Sequence, residues 1–168
     1  MMHGITIVCG LPGTGKSTLA RALAESIEAV HLNTDRIRHA LGRQGKYSEN
    51  AKTEIYDHLL DATSDVVTSG RHVVVDGTFY KAALREKFTS LAVKINVAIH
   101  WIEIMASEET IRQRVSQERP YTEADYAVYL KVRDVFEPLA TAHLTLDSDV
   151  LDLDEMVHRA RQFIQSTG

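Results

Sequence analysis

The sequence predicts a three-layer α/β/α sandwich built on a five-stranded parallel sheet, and three observations carry that expectation. Five short apolar runs alternate with longer stretches of helical periodicity, the pattern of strand–helix–strand crossovers. The run Val73-Val74-Val75 contains no polar side chain, as a strand covered on both faces requires. The first run leads directly into a glycine-rich turn and then a helix, the junction where sheets of this type place their ligands.

Taken in order, residues 5–9 (Ile-Thr-Ile-Val-Cys) read as the first buried strand. Residues 16–26 read as a helix with Leu19 and Leu23 one turn apart, and 29–32 as a second strand. A short helix at 35–41 is closed by Gly42. A long one at about 49–69 is stopped by Gly70 and carries Ile55, Leu59, Leu60 and Val66 among its apolar positions. After the strand at 73–75, residues 81–91 are helical and 95–104 contain the fourth strand. Ser107 is placed as an N-cap, with Glu108 and Glu109 in the first turn. Thr122-Glu123-Ala124-Asp125 resembles a capping box for a helix reaching about Phe136, which ends before Pro138. A fifth strand at 144–146 and a helix at about 154–165 complete the chain.

The 168 residues fit one domain, 44% hydrophobic and 25% charged, with no repeat or linker. No window is long and apolar enough to span a membrane, and the first residues lack the pattern of a signal peptide. The single Cys9 excludes an internal disulfide and suggests a reducing, cytoplasmic setting. A net charge of -4 argues against a protein that coats long nucleic acid. It leaves room for an enzyme that takes one polynucleotide end into a local basic pocket. No obligate protein partner is evident.

The strongest chemical signal is Gly10-Leu11-Pro12-Gly13-Thr14-Gly15-Lys16-Ser17, followed by Thr18, which satisfies G-x-x-x-x-G-K-[ST] between a strand and a helix. Glycines let the backbone wrap a phosphate, and the helix N-terminus adds a fixed positive field. The cofactor-binding set is therefore Gly10, Pro12, Gly13, Thr14, Gly15, Lys16, Ser17 and Thr18. Lys16 reaches the terminal phosphates, and the Ser17 hydroxyl ligates Mg2+. This predicts a P-loop NTPase fold. Because the chain has no Asn-Lys-x-Asp run, ATP is favoured over GTP.

A nucleotide loop alone does not make a transferase; an acceptor side is also needed. Asp35 and Arg38 share a helix face at the end of the second strand. There a carboxylate accepts a hydroxyl proton, and a guanidinium forks onto an anionic acceptor group. Asp76, ending the apolar third strand before Gly77, is the second expected metal residue, with Thr78 and Phe79 possible pocket-lining neighbours. Arg112, Arg114 and Arg119 fall within eight residues, in a helical lid expected over about 107–136. Arginines there stabilise the charge of a transferring phosphoryl group. Arg114 and Arg119 are the preferred catalytic candidates, with Arg112 assigned to the nucleotide. The acidic stretch 147–155 either pairs with this lid or is solvated.

Together these residues resemble the P-loop kinases that include polynucleotide 5′-hydroxyl kinase domains and zeta-toxin-like kinases. The likeness rests on Gly10 to Ser17 and on Asp35-x-x-Arg38. It implies that Lys16 and Ser17 serve ATP and Mg2+, and that Asp35 is the general base for a 5′-hydroxyl. It further implies that Arg38 contacts the acceptor's phosphate, that Arg114 or Arg119 stabilises the transferring phosphate, and that the 147–149 loop lies near adenine. The stretch from Arg114 through 122–125 to Glu137-Pro138-Leu139 is more similar to a branch associated with aminoglycoside phosphotransferases. Four residues separate Arg114 from Arg119, one more than the usual lid spacing. The expectation is an ATP-dependent kinase acting on a polynucleotide 5′-hydroxyl, with a small-molecule kinase or a P-loop ATPase switch as alternatives.

Overall fold

The computed structural model describes residues 2–117 and 126–167. Their elements run β1 (Gly4–Cys9), α1 (Lys16–Ser26), β2 (Val30–Asn33), α2 (Thr34–Ala40), α3 (Glu49–Thr68), β3 (Val73–Asp76), α4 (Ala82–Lys94), β4 (Ala98–Met105), α5 (Glu108–Val115), α6 (Tyr126–Val135), β5 (Leu144–Asp147) and α7 (Leu153–Ser166). The five strands pair in parallel in the order β2-β3-β1-β4-β5. The predicted sandwich is the observed one. The capping box at 122–125 lies outside the described residues. Among the described residues no helix is long and apolar enough to cross a membrane.

Side-chain alternation along the strands builds two cores. Ile5, Ile7 and Cys9 of β1 join Val73 and Val75 of β3 in packing against α3 and α4 through Leu59 and Phe88. Val8, Val74, Ile102 and Ile104 face the other way, onto Leu19 and Leu23 of α1 and Ala160 and Ile164 of α7. Phe79 is fully buried and meets Tyr56, Phe88 and Trp101 edge-on at 5.0–5.7 Å between centroids. Each such pair adds about 0.5–1.5 kcal/mol beyond burial. Phe79 is thus a core residue rather than a pocket residue.

The caps fix where the elements begin. Asn33 caps α2 by accepting from Arg36 N, so the helix starts immediately after β2 and puts Asp35 in its first turn. Ser48 caps α3 and Ser107 caps α5 in the same way. α4 begins one residue later than the periodicity suggests, at Ala82. Buried Arg85 donates to the carbonyls of Phe79, Glu137 and Pro138 and so ties the chain leaving α6 to the base of α4.

Candidate active site

The phosphate loop leaves β1 at the carboxyl end of the sheet. Gly10 has φ 143°, and a Cβ there would lie 2.4 Å from the Ile104 carbonyl oxygen. Gly13 has φ 82° and packs against Val115 of α5. No side chain caps α1, and no acidic residue stands in its first turn, so the positive field of its N-terminus is not cancelled. Within the loop, Thr14 Oγ1 and Lys16 Nζ donate to the Leu11 carbonyl at 2.9 and 3.2 Å.

Register brings the expected metal residues together. Asn33 of β2 pairs with Asp76 of β3, and Ser17 Oγ donates to Asp76 Oδ1 at 3.0 Å. Asn33 Nδ2 donates to Asp76 Oδ1 at 2.7 Å and to Ser17 Oγ at 3.0 Å, while His31 Nε2 contacts Asp76 Oδ2. Asp76 is 1% exposed, so these partners compensate a carboxylate removed from water. A hydroxyl and a carboxylate oxygen beside the phosphate loop are the hard donors that Mg2+ takes when the rest of its shell is phosphate and water. The residues present fit the ion.

Asp35 and Arg38 face the same cavity, about 520 Å³ in volume, as Lys16, Ser17 and Asp76. Arg38 Nη1 donates to Asp35 Oδ1 at 2.6 Å, and the guanidinium stacks over the Tyr47 ring at 4.7 Å. β2 lies at the sheet edge with β3 between it and β1, so Asp35 reaches the phosphate loop across the end of β3. Lys52, Tyr56, Thr78 and Tyr80 close the far wall, and Val128 and Val132 of α6 add an apolar side. Tyr56 Oη contacts Thr78 Oγ1 at 3.2 Å and accepts from Phe79 N at 2.8 Å. Burial pushes its hydroxyl up to about 12, so it stays protonated and neutral.

Arg112 and Arg114 of the predicted lid make contacts in different places. Arg112 is excluded from the cleft: its side chain is 65% exposed, stacks over Tyr126 at 4.8 Å and donates to the Tyr126 hydroxyl at 3.0 Å. The i,i+4 Glu108 and a tyrosine from α6 hold it away from the residues that line the cavity. Arg114 reaches the phosphate loop, but from behind. Its Nη1 donates to the carbonyls of Gly13 at 3.3 Å and Thr14 at 3.0 Å, and to Ser148 Oγ at 3.0 Å. Ser148 Oγ itself donates to the Thr14 carbonyl at 2.8 Å. Through Nη1 this guanidinium braces the phosphate loop. Arg119 lies outside the described residues. In the acidic stretch, Asp149 accepts from Ser107 N at 2.8 Å, at the start of α5.

Sequence reasoning missed His31, Asn33, Tyr47, Lys52, Tyr80 and Ser148. His31 and Asn33 carried a signal, because two polar residues at alternate positions of a short strand point to one face. Lys52 carried none, since a lysine near the start of a helix looks like any solvated position.

This fold has counterparts. A family model described as an AAA domain matches residues 5–139. The chain belongs to the AAA domain family. An uncharacterized protein of Mycobacterium tuberculosis is 30% identical to this AAA domain over 123 residues, covering 66% of this chain and 25% of that protein. The adenylate kinase of Streptococcus equi subsp. equi is 34% identical over 82 residues, 48% of this chain and 36% of that enzyme. The AAA domain thus spans between a quarter and roughly a third of these relatives. Among solved structures, an APS kinase of Mycobacterium tuberculosis in complex with AMPPNP and APS superposes with a TM-score of 0.76 at 18% identity, over 97% of this chain and 98% of that one. A gluconokinase of Sinorhizobium meliloti superposes with a TM-score of 0.72 at 18% identity, over 98% and 93%. Both share the fold.

Proposed function

We propose that this AAA domain is an ATP-dependent kinase that transfers the γ-phosphate to an acceptor hydroxyl. The observation that supports this best is Asp35, a carboxylate facing the same cavity as the phosphate loop. In this reading the loop amides and Lys16 hold the phosphates of ATP. Mg2+ at Ser17 and Asp76, when bound, neutralises charge developing on the phosphoryl oxygens. Asp35 accepts the proton of the attacking hydroxyl, and Arg38 holds the Asp35 carboxylate in place. A regulatory switch would have no use for a base on the acceptor side.

Two acceptor classes come into question. A polynucleotide 5′-hydroxyl is supported by the Asp35-x-x-Arg38 resemblance. A small hydroxyl compound is supported by the partly apolar 520 Å³ cavity and the net charge of -4, and its named counterparts include kinases of APS and gluconate. We favour the small compound. The lone Cys9, buried with its thiol pushed up to about 12 mainly by burial, suits a cytoplasmic enzyme without reactive sulfur.

The test is transfer of labelled γ-phosphate from Mg–ATP to a panel of hydroxyl compounds and to a 5′-hydroxyl oligonucleotide. Labelled product is expected with at least one acceptor. Hydrolysis of ATP that ignores every acceptor overturns the kinase reading in favour of a switch.

A further inference from the structure

The acceptor end of the cavity carries two cations with donor capacity left over: Arg38, which spends Nη1 on Asp35, and Lys52, whose only carboxylate neighbour among the described residues is shared. Arg38 is 6% exposed, and its Nε–H meets no hydrogen-bond acceptor among the described residues. A buried guanidinium donor without an acceptor is costly unless a ligand supplies one. Lys52 projects from α3 into the same cavity with its side chain only 17% exposed. Its nearest carboxylate, Glu49 Oε1, is 3.9 Å away. Glu49 also accepts from Tyr80 Oη at 3.1 Å and Lys81 Nζ at 3.3 Å, so one carboxylate is shared.

Both cations rest on aromatic faces. Arg38 lies 4.7 Å above the Tyr47 ring and Lys52 lies 4.7 Å above the Tyr80 ring. A ring steadies a cation by its quadrupole without neutralising it, so the charge remains available to a ligand. Burial lowers the affinity of Lys52 for its proton, and Lys81, Arg38 and Lys131 lower it further against the single opposing Glu49. An anion beside Lys52 relieves that repulsion.

We infer that the acceptor is a small hydroxyl compound carrying an anionic group apart from the reacting hydroxyl, and that Arg38 and Lys52 together grip that group. The inference rests on the kinase reading and adds Lys52 as a specificity-determining residue. A phosphate, sulfate or carboxylate satisfies both donors. With Asp35 paired to Arg38, gripping the anion also brings the hydroxyl to the base. Val128 and Val132 supply an apolar wall for the carbon skeleton between them.

Two measurements separate this inference from the kinase reading. In the first, protein saturated with AMPPNP and Mg2+ is titrated with inorganic sulfate by calorimetry. The wild type binds sulfate; Lys52→Met and Arg38→Met each bind it about tenfold more weakly or worse, as loss of a charge-assisted hydrogen bond requires. Lys52→Arg retains most of the affinity, and exposed Lys94→Met is unchanged. Equal sulfate binding by wild type and Lys52→Met, with both folded by thermal melting, overturns the inference. In the second, phosphoryl transfer is compared within pairs: gluconate against glucose, a nucleoside 5′-phosphate against its nucleoside, and a 5′-hydroxyl oligonucleotide alone. The anionic members are the better acceptors, and Lys52→Met raises their KM more than it lowers kcat. Transfer to the neutral members as fast, or to the oligonucleotide alone, overturns the inference and leaves the kinase reading intact. Sulfate binding that depends on Lys52, without transfer to any compound, upholds the anion site and overturns the kinase reading.

Discussion

In the proposed kinase reading, Asp35 concentrates the chemistry of the site in one carboxylate. Asp35→Asn keeps the shape and the cavity but removes the proton acceptor. Transfer should fall by a factor on the order of 10²–10⁴ while ATP affinity, measured by calorimetry, stays near wild type. Asn33 is a different kind of residue. Its amide donates to Asp76 and Ser17, and its oxygen caps α2, so Asn33→Ala should cost about 1–3 kcal/mol of stability. It should also weaken the Mg2+ enhancement of nucleotide binding, read by titrating nucleotide with and without the metal. Lys16, Ser17, Asp35, Arg38 and Asp76 were legible in the sequence because each sits at a strand end or in a spaced motif. Lys52 and Tyr80 were not, because their meaning comes from a wall that α3 and the chain after β3 build together.

Among the elements, the phosphate loop combines strict local rules with long-range support. Its glycines are not interchangeable. Gly10→Ala drives a Cβ to 2.4 Å from a strand carbonyl at φ 143°, whereas a Cβ on Gly15 meets only Arg114 Nη1 at 3.6 Å. Gly10→Ala should therefore lower the melting temperature more than Gly15→Ala, although both carry the cost of a positive φ, about 1–3 kcal/mol. Arg114→Ala leaves the Gly13 and Thr14 carbonyls without this donor. Weaker nucleotide binding should follow, visible as faster amide exchange in the loop. Helices and strands were read within a few residues of their observed bounds because caps and periodicity are local properties. The division of labour between Arg112 and Arg114 was not, since spacing assigns a helix face but not the neighbour that face meets. Tyr126 attracts one arginine and the loop carbonyls attract the other.

At the scale of the whole molecule, acid should loosen the fold through a histidine far from the chemistry. His72 is 3% exposed, contacts Thr6 Oγ1 at 2.8 Å, and burial lowers it from 6.5 to about 4. Between those values the unfolded chain takes up a proton that the folded one refuses, so stability rises with pH across this window. Acidification from pH 6.5 to 4 should remove up to about 3 kcal/mol, with no further loss from this group below pH 4. Melting curves over that range, compared with His72→Gln, should show a shallower dependence in the variant. The order of the layers was readable from the alternation of runs; the placement of β2 at the sheet edge was not, because pairing order depends on contacts between distant segments.

The brace on the phosphate loop has a consequence for synthesis. The loop occupies residues 10–17, yet Arg114 and Ser148 bind its Thr14 carbonyl across sequence separations of 100 and 134 residues. A chain emerging from the ribosome therefore exposes its nucleotide motif more than a hundred residues before the last support for it. Stalled nascent chains cut short before residue 148 should hold ATP poorly despite a complete motif, and high-affinity capture of nucleotide would then report that β5 and the serine after it have been made.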